Sequence, residues 1–377
     1  MAQVVHTIYF PVSARSFVQP MTAHLIEHGI PAELWIENMP AYSHFTEGIY
    51  VPKRLVATDI TFNPNSFRRK LSDLRAQLQT VNPRVLHAHQ TRSSLLPLLA
   101  ASLEGVPVRI YHNHGLPYLG HHGILRMLLK TLESINIRLA THVLCVSRST
   151  LDAARADGLL LGKGAVLANG SAVGIDLAEF ASSYFNEGSS TKAKEQFGVG
   201  GSTFVLGYVG RPVKRKGFHL LLKAWEKSDL AARGCWLLIA GCTTTECEAA
   251  LGHQARGVKA LGYIGDLRPF YAASDAVALP SEHEGFPYSL LEGAAAGKPL
   301  IGTDIPGVRC AIKNNQTGLL IPPNDDIALT QAMTALASNP QLRSELGTKA
   351  RARVEQDFTR ELVLSSLLDF YRTQLGF

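Results

Sequence analysis

The segment FVLGYVGRPVKRKGF, residues 204–218, carries the first decisive pattern in the chain. An apolar, β-rich run ends in glycine at 207–210, and a helix-like period begins near Gly217. A strand that breaks on glycine and turns into a helix is half of a βαβ unit, and it lets backbone approach a ligand closely. Arg211 and Lys216 project beside that turn. An arginine fork and a mobile lysine charge suit a diphosphate, whose growing negative charge must be stabilised as it leaves. Taken alone, the string is equally a basic loop kept in water, since Lys214 and Arg215 lie beside the pair. It fits neither the P-loop lysine pattern nor GxGxxG, so phosphoryl and hydride transfer gain nothing from it.

Outward from this segment, short β-rich runs alternate with helix-period stretches. Downstream they are 236–240, 259–261, 276–279 and 300–302, with helices at 218–228 and 289–296. Upstream, strands are expected at 4–10, 32–36, 85–88, 108–111 and 143–146, and helices at 17–28, 66–81, 93–104 and 123–139. Repeated alternation predicts parallel sheets with helices on both faces. A length of 377 residues suits two such domains. The polar, Gly/Ser-rich stretch 185–201 reads as a linker with one short helix. The expected organisation is an N-terminal domain over 1–178, a linker over 179–202 and a C-terminal domain over 203–358. The tail 359–377 then returns as a helix with Leu362, Val363, Leu367, Phe370, Tyr371 and Leu375 on its apolar face.

The second informative string is SEHEGFPYSLLEGAAAGKPLIGT, residues 281–303. Glu284 is placed on the loop before a helix and Glu292 about one turn inside it. Two carboxylates so disposed can accept hydrogen bonds from two polyols, such as a sugar and a ribose. For Glu292 there is a plainer account, a capping box formed with Ser289. For Glu284 the plainer account is a solvated loop acid, and Glu282 is a neighbour of the same type.

Together the strings GYVGRPVKRKG (207–217) and EGFPYSLLE (284–292) resemble those of the family-4 retaining glycosyltransferases. AAAGKPLIGTDIPG (294–307), LHAH (86–89), HNHG (112–115) and THVLCVSRS (141–149) extend the resemblance over nearly the whole chain. It implies a GT-B fold, with two Rossmann-like doubly wound α/β domains and a final helix that crosses back to the N-terminal domain. It further implies transfer of a hexosyl or N-acetylhexosaminyl group from a nucleoside-diphosphate sugar, UDP being the family's commonest carrier, to a glycan or lipid-linked sugar with retention of configuration. By the same resemblance Arg211 and Lys216 bind the donor diphosphate. Glu284, with the Gly285 and Phe286 amides, contacts the transferred sugar, and Glu292 contacts the ribose. Tyr263 and Ile264 meet the base through their backbone, and His114 acts on the donor from the other domain. Arg15 and Ser16 are assigned to the acceptor. The chain departs from the family at Val173-Gly174-Ile175-Asp176, where Asn-Gly-Val/Ile-Asp is usual, and in its first loop, PVSARSFVQP (11–20), which lacks the usual glycines.

No cofactor is implied. The chain contains no Asp-x-Asp, the usual magnesium tether for a diphosphate, and Arg211 and Lys216 would supply that charge instead. Of the 14 histidines 11 precede residue 178, and the pairs His87/His89 and His112/His114 raise a zinc cluster. Neither pair has an accompanying carboxylate, so no metal is expected there. Five cysteines at irregular spacing read as core or surface thiols in a reducing compartment. Met1–Phe10 lacks a basic n-region, which makes the cytoplasm the default.

Net charge is +6, with 16 Lys+Arg against 11 Asp+Glu in residues 1–178 and 21 against 20 thereafter. The basic first half and the amphipathic segments 68–78 and 121–138 allow contact with an anionic membrane, or ordinary packing on a sheet. Nucleic-acid binding is not expected, because no reader motif is present. Two other functions use similar residues: a sugar-nucleotide 2-epimerase, against which the Glu-x7-Glu string argues, and a non-catalytic sugar-nucleotide binder.

Overall fold

The structure, a computed structural model, describes residues 2–40, 46–57, 64–160 and 162–376. It has two compact units: Met1–Gly174 with Arg360–Phe377, and Ile175–Thr359. Each is built on one parallel sheet, as the strand–helix alternation requires.

In the first unit the strands are β1 (Val4–Ile8), β2 (Ala32–Glu37), β3 (Lys53–Val56), β4 (Val85–His89), β5 (Val108–Asn113), β6 (His142–Cys145) and β7 (Gly164–Ala165). Their order across the sheet is β3-β2-β1-β4-β5-β6-β7. The winding reverses between β1 and β4, and ligands of such sheets bind beyond the carboxyl ends of the strands at that point. Strand β3 is not expected from the sequence. It is an edge strand carrying Lys53 and Arg54, and charge on an edge erases the apolar pattern while discouraging edge-to-edge pairing.

The second unit holds β8 (Val205–Val209), β9 (Trp236–Ala240), β10 (Val258–Ala260), β11 (Ala276–Leu279), β12 (Leu300–Thr303) and β13 (Gly318–Ile321). The order is β10-β9-β8-β11-β12-β13, so the reversal falls between β8 and β11. The helix Phe218–Lys227 after β8 buries Phe218, Leu221, Leu222, Ala224 and Trp225, one face at helical spacing. Each large side chain so buried is worth about 1.5–3 kcal/mol.

The stretch expected as a linker lies within the second unit. Asn186 caps the helix Glu187–Gln196. Lys194 then donates to the Asp275 carboxylate at 2.9 Å, and that carboxylate also accepts from the Val205 amide at 2.7 Å. Its polar composition conceals this anchoring.

The last helix, Arg360–Leu375, packs in the first unit. Its buried face is Val363, Leu364, Leu367, Leu368, Tyr371 and Leu375. Leu364 and Leu368 replace Leu362 and Phe370, which are half-buried, so the face is rotated from the expected one. Cys242 and Cys247, unremarkable in sequence, bring their sulfurs to 3.3 Å, with burial raising both thiols. No helix among the described residues is long and apolar enough to cross a membrane.

Candidate active site

The loop after β8 and the loop after β11 meet at the reversal of the second sheet. Three contacts to backbone carbonyls join them. The Glu282 amide donates to the Arg215 carbonyl at 2.9 Å, and the Arg215 guanidinium donates to the His283 carbonyl at 3.0 Å. Gly217, at φ 70°, supplies the third, because a Cβ there would collide with the Pro280 carbonyl. Only glycine combines that left-handed conformation with so close a backbone approach.

Across this joint Lys216 donates to Glu284 Oε1 at 2.6 Å, and the Ser281 hydroxyl reaches the same oxygen at 2.8 Å. Arg215 stands 3.9 Å from it. Glu284 is therefore not a solvated loop acid; its side chain is only 8% exposed. Burying a carboxylate is tolerable because a cation and a hydroxyl compensate it. Arg211 lies exposed on the first loop. The Tyr208 hydroxyl donates to the carbonyls of both Arg211 and Lys216, at 3.2 and 3.3 Å, which fixes the backbone between them. Lys214 is the residue that stays in water, 83% exposed, with the Glu282 carboxylate 3.9 Å away.

Gly285 and Phe286 continue the second loop, with Phe286 packed edge-on against Phe358 at 5.2 Å. Gly307, at φ 88°, supports the loop from beneath, since a Cβ there would approach the carbonyl oxygens of Gly285 and Glu284 to 2.5 and 2.6 Å.

The helix Tyr288–Ala295 starts one residue before the expected position, with Pro287 as N-cap and no side-chain cap. The capping box of Ser289 and Glu292 is thereby corrected, since Ser289 is already inside the helix. Glu292 instead accepts a hydrogen bond from the Tyr271 hydroxyl at 2.7 Å. Burial pushes its carboxyl up to about 7, against the lowering effect of that bond. Tyr271 gave no signal in the sequence, because it stands on a short helix, Arg268–Ala273, outside both motifs.

Tyr263 and Ile264 follow β10. The Tyr263 side chain is 75% exposed, while its loop is tied to the end of β9 by the Gly262 amide on the Cys242 carbonyl at 2.8 Å.

In the first unit His114 is the residue just beyond β5. The Asn113 side chain spans it, accepting from the Gly115 amide at 2.9 Å and donating to buried Glu133 at 3.2 Å. Glu133 also accepts from Thr91 and Tyr111, at 2.5 and 2.7 Å, and burial raises its carboxyl to about 7. Arg15 and Ser16 are exposed on a π-helical turn, Ala14–Val18, after β1. The next residue, Phe17, places its ring 6.2 Å from that of His114. The structure thus brings the expected acceptor residues and His114 to the same carboxyl edge of the first sheet.

Strands β1, β4 and β5 lie side by side, and they carry His6, His87, His89 and His112 into the sheet's interior. His6, His87 and His89 form one group of three whose ring nitrogens lie within 4.8 Å of one another, and His89, His112 and His114 form a second. Burial pushes His6 down to about 3 and His114 to about 4, so the rings are neutral at pH 7. Each could offer a lone pair to a metal, but a dication there would meet no carboxylate among the described residues.

Two family models match the chain, glycosyltransferase family 4 over residues 16–171 and glycosyl transferases group 1 over 189–353. The capsular polysaccharide biosynthesis glycosyltransferase CapM of Staphylococcus aureus is 26% identical over 81% of this chain and 82% of its own length. The O-antigen chain mannosyltransferase C of Escherichia coli is 32% identical over 46% of this chain, a stretch that spans 48% of that protein. Among solved structures, Anabaena Alr3699/HepE in complex with UDP and glucose superposes with a TM-score of 0.80 at 17% identity, over 99% of this chain and 100% of that one.

Proposed function

The chain belongs to the family-4-type GT-B glycosyltransferases, and on that footing we propose that it transfers a hexosyl or N-acetylhexosaminyl group from a UDP-sugar to a glycan or lipid-linked sugar, with retention. The observation that carries the reading is the Lys216–Glu284 pair at the reversal of the second sheet. It sets a cation suited to the diphosphate beside a carboxylate suited to sugar hydroxyls. Two further features support it: the relatives act in capsular and O-antigen synthesis, and the superposable Anabaena protein binds UDP and glucose.

In the proposed reaction the bond between the anomeric carbon and the diphosphate oxygen breaks, and its electron pair goes to that oxygen. Arg211 and Lys216 stabilise the charge that develops. The acceptor hydroxyl attacks the same face of the oxocarbenium-like sugar and yields its proton to the leaving phosphate. Glu284 and the Gly285 and Phe286 amides hold the sugar, Glu292 the ribose, and the backbone of Tyr263 and Ile264 the base. His114 acts on the donor, and Arg15 and Ser16 on the acceptor. No divalent ion enters this scheme.

An anionic membrane is the proposed dock. The helix Gly123–Leu139 turns Glu133, Asn136 and Ile137 inward and leaves Ile124, Leu125, Met127 and Leu128 between 49% and 73% exposed. Four exposed apolar side chains at the start of one helix form a patch that ordinary packing leaves uncovered, and the N-terminal half carries the excess of positive charge. Sedimentation with phosphatidylglycerol vesicles, compared with neutral ones, tests this. Binding unaffected by Met127→Glu would refute it.

The decisive experiment incubates the full chain with UDP-, GDP- and ADP-sugars and lipid-linked acceptors, with and without chelator, and determines the anomeric configuration of the product. Retention from a UDP-sugar in chelator is expected. An inverted product, restoration of activity only by added magnesium or manganese, epimerised donor without acceptor, or donor binding with no transfer each removes part or all of the proposal.

A further inference from the structure

The histidines of β1, β4 and β5 are bonded ring to ring. His114 Nε2 lies 3.0 Å from His89 Nδ1, and His89 Nε2 lies 3.0 Å from His6 Nδ1. His6 Nε2 is 3.4 Å from the Tyr371 hydroxyl, which stands 2.5 Å from His87 Nδ1, and His87 Nε2 is 3.2 Å from His112 Nδ1. The chain His114–His89–His6–Tyr371–His87–His112 is therefore unbroken, and each interior ring uses both its nitrogens. His6, His87, His89 and Tyr371 are fully buried.

A neutral imidazole has one N–H and one lone pair. In a line of such rings, each contact needs one donor and one acceptor, so the choice at one ring dictates the next. Only two arrangements satisfy every contact and also give the Tyr371 hydroxyl proton a partner within the chain. In the first, every ring carries its proton on Nε2, the Tyr371 hydroxyl donates to His87, and His114 Nδ1 is left as an acceptor. In the second, every ring carries it on Nδ1, Tyr371 donates to His6, and His114 Nδ1 is a donor. Other arrangements leave two lone pairs or two N–H groups facing each other, or the Tyr371 proton without an acceptor, in a dry core, at the cost of an unmade buried bond.

We propose that Tyr371, on the returning last helix, is a positioning residue that sets the tautomer of His114 through this chain. Among the described residues the hydroxyl is the only hydrogen-bonded link between the His114–His89–His6 and His87–His112 segments, whose rings otherwise meet only by stacked and tilted packing, and it must reverse whenever His114 Nδ1 changes from acceptor to donor. A metal bound by the same rings would displace these bonds, so the two readings exclude each other. The consequence for sugar transfer rests on the assignment of His114 to the donor; the ordering of the rings does not.

The test is long-range 1H–15N correlation on full-length protein with 15N-labelled histidine, in the wild type and in Tyr371→Phe. In the wild type the five rings should share one tautomer. In Tyr371→Phe, His114, His89 and His6 should shift toward mixed tautomers independently of His87 and His112, with kcat lowered about tenfold and donor KM little changed. Opposite tautomers within the wild-type chain would overturn the proposal even if the variant failed to fold. So would unaltered His114 shifts in Tyr371→Phe, or displacement of the His6, His87 and His89 signals by equimolar Zn2+. Shared tautomers that uncouple in Tyr371→Phe without any change in kcat would uphold the chain and remove His114 from the donor site instead.

Discussion

Lys216 and Glu284, 68 residues apart, meet at 2.6 Å where the loops after β8 and β11 come together. The two proposed functions, gripping phosphate and gripping sugar, are thus coupled through one hydrogen bond. Lys216→Ala removes a charge and also leaves Glu284 buried without its cation. Glu284→Gln keeps the shape and removes the attraction. Lys216→Ala is expected to weaken UDP binding by about 1.5–3 kcal/mol, or roughly tenfold to over a hundredfold. Glu284→Gln should lower kcat for transfer more than UDP affinity. Titration calorimetry with UDP and steady-state transfer rates on both single variants and the double variant check this. Strict additivity of the two effects would mean that the bond carries no coupling.

The two nearby arginines should separate by experiment. Arg211 is exposed, whereas Arg215 holds the His283 carbonyl at 3.0 Å. Arg211→Ala should cost nucleotide affinity and leave the melting temperature unchanged. Arg215→Ala should lower the melting temperature by a few degrees, equivalent to about 1 kcal/mol. A thermal-shift series with and without UDP distinguishes them, and the reverse pattern would exchange their roles.

Glycines at the site differ from glycines elsewhere in what surrounds them. Gly217 and Gly252 both have positive φ, but a Cβ at Gly217 would strike the Pro280 carbonyl, while one at Gly252 would meet nothing within 4 Å. Gly252→Ala should therefore cost only the conformational penalty, about 1–2 kcal/mol. Gly217→Ala must in addition separate the two loops, so it should lose donor binding as well as stability. Equal denaturation midpoints and intact UDP affinity in both variants would show that the loop junction is unimportant.

Much of this arrangement was legible in the sequence where local pattern and tertiary role coincide. The Gly-Arg-Lys-Gly turn and the Glu-Gly-Phe-Pro loop lie next to strong apolar strands, so the strands could be placed and their carboxyl ends inferred. Tyr271, Ser281 and Gly307 escaped notice because their function is to support another residue across the fold, and such support leaves no local period. The capping box at Ser289 failed for a related reason: Pro287 started the helix early, and a tyrosine from another helix claimed Glu292. The histidine pairs were visible as strand ends. That His6 on β1 would join them depends on the order in which the sheet is wound, which no spacing along the chain encodes.

The same buried histidines predict how stability responds to acid. Their folded pKa values are depressed, to about 3 for His6 and about 4 for His114, below an unfolded value near 6.5. Between these limits the unfolded chain binds protons that the folded one refuses. The stabilisation is complete above about pH 6.5 and is lost as pH falls toward 4, by up to about 1.4 kcal/mol per pH unit for each ring. Glu133 and Glu292 act in the opposite sense. Their folded pKa values are raised to about 7, so their contribution is largest in acid and declines as pH rises from about 4.5 to 7. Five rings against two carboxyls should leave the histidines dominant, and urea midpoints should fall steadily from pH 6.5 to pH 5. Glu133→Gln isolates the opposing effect, because glutamine mimics the protonated acid and the Thr91 hydroxyl can turn to accept from its amide. This variant should gain stability relative to the wild type at pH 8 more than at pH 5. A wild-type midpoint that is flat across the range, or a Glu133→Gln effect independent of pH, would show that these groups titrate in the folded protein as they do in water.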